Sequence, residues 1–266
     1  MNYWTQLSAK FAQNRNYLDE LYKVYPITPN LRRVLPFGKE DNIKDAFENR
    51  DNESLINELL DLDLFPIKDS YVAYLRRDRA AIKRNPQTIN RIAGNLYHMG
   101  FEEVIEKCTE PKETNRQMGP MFKNWIDKGV IGVPVFKNAE EFLSFDGNCI
   151  LNTSDDRMQE FAKIHLGFER KKGLDFMAKF NNTYVVGEAK FLTDFGGHQN
   201  AQFEDAISTI TADFSNKKVA QRVVPIAILD GVLYIEGNHK LYNHLKDNEE
   251  EIILSALVLR EFLYQL

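Results

Sequence analysis

Two carboxylates and a lysine, Asp175, Glu188 and Lys190, fall within one short stretch of the chain. The residues between the two acids are rich in Phe, Tyr, Val and Thr, which favours paired β-strands. Asn181 and Asn182 at the centre tolerate the positive φ of a two-residue turn, so the stretch is predicted to be a hairpin. Counting outward from that turn places Asp175 opposite Glu188, with Cβ atoms about 5 Å apart, and Lys190 on the same face.

Carboxylates that face each other across a hairpin repel and destabilise the sheet, and a divalent cation between them removes that conflict. Oxygen ligands suit Mg²⁺, so the pair Asp175 and Glu188 predicts a magnesium site. The alternative is a solvated pair of strands that happens to carry charges. That alternative explains neither the apposed acids nor Lys190 beside them.

The order Asp175, then Glu188-Ala189-Lys190 at the end of a strand, resembles the active site of the PD-(D/E)xK nuclease superfamily. With a helix before the hairpin and another after it, the layout is most similar to that of a type II restriction endonuclease. Leu174 stands where the family's name has Pro, at a position that varies within the superfamily. The motif itself is short, and its context carries the resemblance.

The resemblance implies Mg²⁺-dependent hydrolysis of DNA phosphodiesters at a short recognition sequence, leaving 5′-phosphates. Asp175, Glu188 and the backbone carbonyl of Ala189 would hold the metal, and Lys190 would position the attacking water or stabilise charge on the phosphate. The resemblance also implies a homodimer that cuts both strands of a palindromic site. A cognate DNA methyltransferase that protects the host DNA is implied as the functional partner.

Two other functions stay open on the sequence. One is a PD-(D/E)xK nuclease of DNA repair or junction resolution, which would show little sequence preference or require a branched substrate. The other is a non-catalytic DNA-binding protein with the same fold and a decayed site. The intact Asp175, Glu188 and Lys190 argue against decay.

A helix is predicted at about 157–166, because hydroxyl and acidic residues at 153–156 suit its start and Gly167 suits its end. In the superfamily, a helix in this place often supplies a further acidic residue near the metal. The resemblance therefore assigns a catalytic role to Glu160, with Glu169 as the alternative acid. The other interpretation of Glu160 is a solvated helix acid without a catalytic role.

Basic and amide side chains on both sides of the motif are candidate DNA-binding residues: Arg116, Gln117, Lys123, Lys171, Lys172, His198, Gln199, Asn200 and Gln202. The first two are types that read base edges, and the lysines just before the catalytic strand suit phosphate contacts. The last four follow the glycine pair at 196–197, which permits a close backbone approach to a ligand. The alternatives are an ordinary capped helix start for Arg116 and Gln117, and a helix cap or packed surface position for His198.

The predicted fold class is α/β, with a mixed central sheet flanked by helices in a restriction-endonuclease-like core and a mostly helical N-terminal region. The helical region is expected at 1–112 and the core at 113–266. Basic residues interleaved with tyrosines at 69–84 indicate DNA contacts or, alternatively, a solvated helix face whose apolar side packs inward. The helical region is accordingly a candidate for DNA binding or for dimerisation. A further hairpin is predicted at Asp230-Gly231, with 232–235 as its return strand.

Composition narrows the class of protein further. A net charge of −5 weighs against indiscriminate DNA binding, although a cleft can concentrate positive charge while the outer surface stays acidic. Cys108 and Cys149 form no CxxC pair and have no neighbouring histidine cluster, which argues against zinc and against a disulfide framework. No apolar run reaches membrane-spanning length and the N-terminus lacks a signal-peptide stretch, so a cytoplasmic enzyme is expected.

Overall fold

The computed structural model of the chain describes residues 1–14, 16–26, 32–111 and 114–266, with only the backbone at 114–116. The chain divides into a sheet unit, Met1–Ile27 with Thr114–Leu266, and a helical unit, Thr28–Glu113. The first residues of the chain therefore belong to the sheet unit. The prediction from the sequence had placed them in the helical region at 1–112. The physical reason is that Leu21 and Val24 are buried in the core of the sheet unit.

The described segments form fourteen α-helices and six β-strands, numbered in chain order. The sheet unit begins with α1 (Tyr3–Ala12) and α2 (Tyr17–Val24). The helical unit contains α3 (Lys39–Glu48), α4 (Asn52–Leu60), α5 (Ser70–Arg77), α6 (Ala81–Arg84), α7 (Pro86–Met99) and α8 (Phe101–Cys108). The sheet unit continues with α9 (Thr114–Asp127), β1 (Val135–Phe136), α10 (Ala139–Ser144), β2 (Cys149–Leu151), α11 (Asp155–Phe161), β3 (Phe176–Phe180), β4 (Thr183–Leu192), α12 (Gly197–Ile210), β5 (Arg222–Gly231), α13 (Lys240–Asp247), β6 (Ile253–Leu254) and α14 (Ala256–Tyr264). Within the described ranges, none of these helices has the length and apolar character needed to cross a membrane.

The six strands form one mixed sheet in the order β1-β2-β3-β4-β5-β6. β3 runs antiparallel to both of its neighbours, β2 and β4, whereas the pairs β1–β2, β4–β5 and β5–β6 are parallel. A parallel pair needs a long crossover connection, and α12 lies in the one between β4 and β5. The predicted α/β class, a mixed sheet flanked by helices, is confirmed.

β3 and β4 form the hairpin predicted from the sequence. Its turn residues Asn181 and Asn182 have φ values of 44° and 62°. Asparagine adopts this left-handed conformation more readily than most other residues with a Cβ. The ladder keeps the predicted register as far as Phe176 opposite Gly187, so the next two residues outward are the two acids.

Side chains on β4 alternate between two apolar clusters, one on each face of the sheet. Val185 and Ala189 pack in the larger cluster, and Val186 packs in the cluster that includes α11. Successive residues of a strand point to opposite faces. Glu188 and Lys190 therefore point to the same face as Val186, the α11 side of the sheet.

The hairpin predicted at Asp230-Gly231 is wrong. β5 continues through both residues, and Val232–Tyr234 form a 3₁₀ turn rather than a return strand. The reason is that Asp230 is fully buried and accepts hydrogen bonds from Tyr25, Ser255 and the amide of Ala256. The neighbour of β5 on this side is instead β6, which pairs with it in parallel.

The helical unit has a hydrophobic core of its own. α7 begins at Pro86, a residue that suits the first helical turn, and ends at Met99, just before Gly100, which has a φ of 91°. The completely buried side chains of this core come from four of its helices and are Ile43, Leu55, Ile56, Leu59, Ile92, Leu96 and Val104.

Candidate active site

Asp175, Glu188 and Lys190 meet on the α11 side of the hairpin. The Nζ of Lys190 lies 2.8 Å from Asp175 Oδ2 and 2.6 Å from Glu188 Oε1, so one ammonium bridges the two carboxylates. Asp175 Oδ2 also accepts a hydrogen bond of 3.0 Å from the amide of Ala189. The hairpin thus brings the three side chains into one hydrogen-bonded group.

A second lysine and a third acid extend this group into a row. The Nζ of Lys172 lies 2.8 Å from Glu188 Oε1 and also binds the carboxylate of Asp205 on α12. Charges therefore alternate from Asp175 through Lys190, Glu188 and Lys172 to Asp205. The Nη2 of Arg170 lies 4.0 Å from Asp205 Oδ1, so the three carboxylates of the row are matched by two lysines and one arginine.

Burial and the neighbouring charges set the protonation of these groups. Only 2% of the Glu188 side chain is exposed, and burial, followed by repulsion from Asp175, raises the pKa of its carboxyl above the usual value. Burial alone lowers the pKa of Lys190, but the charges of Asp175 and Glu188 outweigh burial and hold that pKa above its ordinary value. Lys190 is therefore an ammonium at neutral pH, which donates hydrogen bonds and cannot accept a proton.

The donor atoms at this site fit a hard divalent cation. Glu188 Oε2 is buried and has no hydrogen-bonding partner among the described residues, which costs free energy unless a ligand contacts it. Asp175 and the carbonyl of Ala189 would supply further oxygens. No cluster of three or more His, Cys, Asp or Glu side chains that could hold an ion occurs in the described ranges. Water and phosphate oxygens would therefore complete the coordination, as is common for Mg²⁺.

Glu160 does not join this group. The buried face of α11 carries Met158 and Phe161, so Glu160 points outward and is exposed. It lines a groove of about 410 Å³ together with Arg157, and none of the residues of the charged row lines that groove. The alternative acid Glu169 is also exposed.

The acid of α11 that approaches the hairpin is Asp155. Its carbonyl accepts a hydrogen bond of 3.3 Å from the amide of Leu174, and a Cβ on Gly173 would lie only 2.5 Å from the Asp155 Cβ. The Asp155 carboxylate is paired with Lys123, which also donates to the carbonyl of Thr153 at 2.7 Å. Lys123, a predicted DNA contact, is thus held by the start of α11.

The other candidate DNA contacts ahead of the hairpin have different surroundings. Lys171 is exposed and makes no ion pair with any residue that the structure describes, whereas Lys172 belongs to the charged row. Gln117 is half-buried on α9. The side chain of Arg116 lies outside the described residues.

The candidates on α12 divide by helix face. Gln202 lies four residues after His198 and three residues before Asp205, so the three side chains share one face of the helix. The side chains of His198 and Gln202 are 3.2 Å apart. Gln199 is buried and accepts a hydrogen bond from the loop that follows β4. Asn200 donates to a carbonyl of the same loop. His198 and Gln202 therefore continue the surface that begins at the charged row.

Asp205 is the residue that the sequence did not reveal. Nothing in its local pattern marks it, because it is one of two adjacent acids, Glu204 and Asp205, on a helix beyond the motif. It reaches Lys172 because α12 packs back on β4 and β5. The one available signal was helical spacing, which places it on the face of His198 and Gln202.

A mixed sheet that is flanked by helices and carries Asp175, Glu188 and Lys190 on one face of its hairpin defines a nuclease of the restriction-endonuclease-like fold. The sequence profile of the Tsp45I type II restriction enzyme matches residues 2–266, so the chain belongs to that family. It is accordingly a DNA endonuclease, a hydrolase that acts at specific sites. No curated protein and no solved structure matches the chain.

Membership in this family confirms the resemblance to type II restriction endonucleases. It also decides between the functions that the sequence left open. The match covers nearly the whole chain and is to a type II restriction enzyme, not to a repair or junction-resolving nuclease or a non-catalytic DNA-binding protein.

Proposed function

We propose that the enzyme hydrolyses phosphodiesters of double-stranded DNA with Mg²⁺, at a short recognition sequence, and leaves 5′-phosphates. The observation that supports this most directly is the pair Asp175 and Glu188, which one hairpin holds together on the same face. Glu188 Oε2 is buried and without a hydrogen-bonding partner in the described part of the chain. An oxygen-binding cation would satisfy that atom, which supports the metal requirement.

In the proposed mechanism, Asp175, Glu188 and the carbonyl of Ala189 hold the metal ion. When bound, Mg²⁺ supplies Lewis acidity to the phosphate and lowers the pKa of the attacking water. Lys190 stays protonated between its two carboxylates, so its part is that of a hydrogen-bond donor. It donates to a phosphate oxygen on which negative charge develops, or it holds the attacking water.

Several side chains around the row are proposed to contact DNA. Lys171 and Lys172 precede the catalytic strand and suit phosphate oxygens. His198 and Gln202 lie on the Asp205 face of α12, which supports contact of that face with DNA. The remaining candidates are Arg116, Gln117, Lys123, Gln199 and Asn200. The side chains of Lys123, Gln199 and Asn200 form hydrogen bonds with other parts of the protein.

The proposal includes a homodimer and a cognate DNA methyltransferase, which rest on the resemblance to restriction endonucleases, and a cytoplasmic location, which the unpaired Cys108 and Cys149 support. A dimer would place one active site on each strand of a palindromic sequence. Sedimentation of the protein alone, and with a duplex that contains its site, would test this. A monomer under both conditions would contradict the dimer.

The test of the reaction is a digest of a sequenced, unmethylated viral DNA with Mg²⁺, beside an identical digest with EDTA. We expect discrete fragments with Mg²⁺ and intact DNA with EDTA. Labelling of the fragments by polynucleotide kinase, with and without prior phosphatase treatment, identifies the ends. Fragments with 5′-phosphates would label only after the phosphatase.

Three results would contradict parts of the proposal. Equal cleavage in EDTA would remove the metal requirement. Labelling without phosphatase would show 5′-hydroxyl ends. A metal-dependent smear, in place of discrete fragments, would remove the short recognition sequence while leaving the role of the carboxylates intact.

A further inference from the structure

One face of α7 in the helical unit is exposed, and its composition is unusual for a solvated helix. The opposite face is buried and carries Ile89, Ile92, Ala93 and Leu96. The exposed residues recur at spacings of three and four and are Gln87, Asn90, Arg91, Gly94, Asn95 and His98. A solvated helix face commonly mixes charges of both signs. This face has amides, a glycine and two basic side chains, and it has no acid.

The charge of α7 itself suits an anionic partner, and the acids beside its exposed face are Asp69, which pairs with Arg91, and Glu103, which lines a groove with Asn95 and His98. No aspartate or glutamate occurs between Asp78 and Glu102. α3, α4 and α8 of the same unit have acids in their first turns, whereas α7 has none and no side chain caps its N-terminus. The positive end of its dipole is therefore left without a neutralising group.

Basic and aromatic side chains are also exposed on the elements just before α7, where the Tyr71 ring lies 5.5 Å from the guanidinium of Arg91. Arg77 on α5 and Lys83 on α6 are exposed and form no ion pair within the described ranges. Tyr71 and Tyr74 on α5 are 61% and 60% exposed. Exposed cations beside exposed aromatic rings are typical of surfaces that follow a nucleic-acid backbone.

Gly94 is a second, independent indication of a partner. It lies in the interior of α7 and is exposed, and a Cβ on it would meet nothing within 4 Å. Glycine in a helix interior is less stable than alanine. Since nothing inside the protein requires a glycine here, the flat spot that it leaves suits close approach of an external molecule.

The amides of this face are available for contacts. Gln87 and Asn95 have no hydrogen-bonding partner among the described residues. Between them Arg91 is held in place by Asp69, whose carboxylate lies 2.6 Å from its Nη1. Glutamine and asparagine side chains pair with the N6 and N7 edge of adenine in the major groove, so these amides fit exposed base edges.

We propose that α7 is a recognition helix that lies in the major groove of the substrate duplex. Gln87 and Asn95 contact base edges there, and Arg77 and Lys83 contact phosphates. α7 has 14 residues and is about 21 Å long, and the groove admits one helix. The inference rests on the proposed function, in which duplex DNA is the substrate. It assigns part of the recognition of the DNA sequence to the helical unit.

The experiment begins with selection of duplexes from a random-sequence pool by the full-length protein, with Ca²⁺ in place of Mg²⁺. Selection by binding yields a consensus without any cleavage step. Failure of the proposed chemistry therefore cannot be mistaken for failure of this inference. Affinities are then measured for the consensus duplex and for a scrambled duplex of the same composition.

The variants are Gln87→Ala, Asn95→Ala and Lys83→Ala, with Asn42→Ala as the matched control. Asn42 is an exposed amide of the same unit, but it follows Asp41 on α3. We expect each of the first two to weaken binding to the consensus duplex by about 10- to 100-fold and to relax the consensus at one position. Lys83→Ala should weaken both duplexes alike and reduce the slope of affinity against salt by about one. The control should match wild type.

Gly94→Gln separates binding from folding. The new side chain has room in the free protein, so the variant should melt at the wild-type temperature or above it and yet bind the consensus duplex at least about tenfold more weakly. Wild-type affinity and consensus in Gly94→Gln, Gln87→Ala and Asn95→Ala would overturn the inference. So would a loss of binding that accompanies a change of oligomeric state in sedimentation, which would assign the face to a second copy of the chain.

Discussion

Glu188 has one oxygen between two lysines and the other buried without a hydrogen-bonding partner in the described ranges. Glu188→Gln keeps the shape of the side chain and removes its charge. We expect single-turnover cleavage to fall by at least about a thousandfold, because the metal loses a charged ligand. Binding of the same duplex should change by less than about threefold. A cleavage rate within about tenfold of wild type would contradict the assignment of Glu188 as a metal ligand.

Lys171 and Lys172 are sequence neighbours with different surroundings, which makes them a matched pair. Lys172 binds Glu188 and Asp205, whereas Lys171 is exposed. A charged hydrogen bond is worth roughly 1.5–3 kcal/mol, so we expect Lys172→Met to lower kcat by about 10- to 100-fold. Lys171→Met should weaken DNA binding slightly at low salt and leave kcat unchanged. Equal effects of the two substitutions on kcat would contradict a special role for Lys172.

At the scale of elements, β5 ends in an acid whose protonation affects stability. Burial raises the pKa of Asp230 from 3.8 to about 6, although hydrogen bonds from Ser255 and Tyr25 lower it. Between those values the folded protein binds a proton that the unfolded chain has lost. The stabilising contribution of this group is therefore complete below about pH 4 and is lost as the pH rises through about 6, by roughly 3 kcal/mol in total.

Asp230→Asn removes this titration and gives the test. The difference in unfolding free energy between wild type and the variant should shift in favour of the variant by roughly 3 kcal/mol from about pH 4 to about pH 7. Denaturant titrations of both proteins at several pH values measure it. The amide of Asn also lowers the unfolding free energy by an amount that does not depend on pH. The test is therefore the change of the wild-type-minus-variant difference with pH, not the size of that difference at any one pH. A difference that stays constant over this range would be the contrary result.

The elements also show how far sequence reasoning reaches. The hairpin that carries Asp175 and Glu188 could be predicted because Asn181 and Asn182 specify the turn locally and the register follows from it. The dipeptide at Asp230 carries a similar turn signal, yet it lies in a strand because the carboxylate is buried against α2, the following Tyr25 and α14. Those helices are far from it in sequence. Asp205 was missed for the same reason, since only the packing of α12 on the sheet brings it to Lys172.

For the whole molecule, two separate cores predict two units that lose structure independently. Ile56 is completely buried in the helical unit, and Leu21 is buried in the sheet unit. Truncation of either to alanine should cost about 2–5 kcal/mol. We expect Ile56→Ala to lower hydrogen-exchange protection in α3, α4 and α7 alone, and Leu21→Ala to lower it in β4, β5 and α14 alone. Loss of protection throughout the chain in either variant would show a single cooperative unit instead.

The two units are also completed at different times during translation. The helical unit is fully synthesised once residue 113 has emerged. α1, in contrast, is held by hydrogen bonds to residues near the C-terminus, which are synthesised much later than the helical unit. Thr5 donates to the carbonyl of Ile253 at 2.8 Å, and the amide of Ser255 donates to Ser8 at 2.9 Å. Because units fold as they leave the ribosome, the helical unit is expected to fold first. A nascent chain would then hold the proposed recognition helix before its candidate nuclease site is assembled, and a cell would be protected from unfinished copies of its own enzyme.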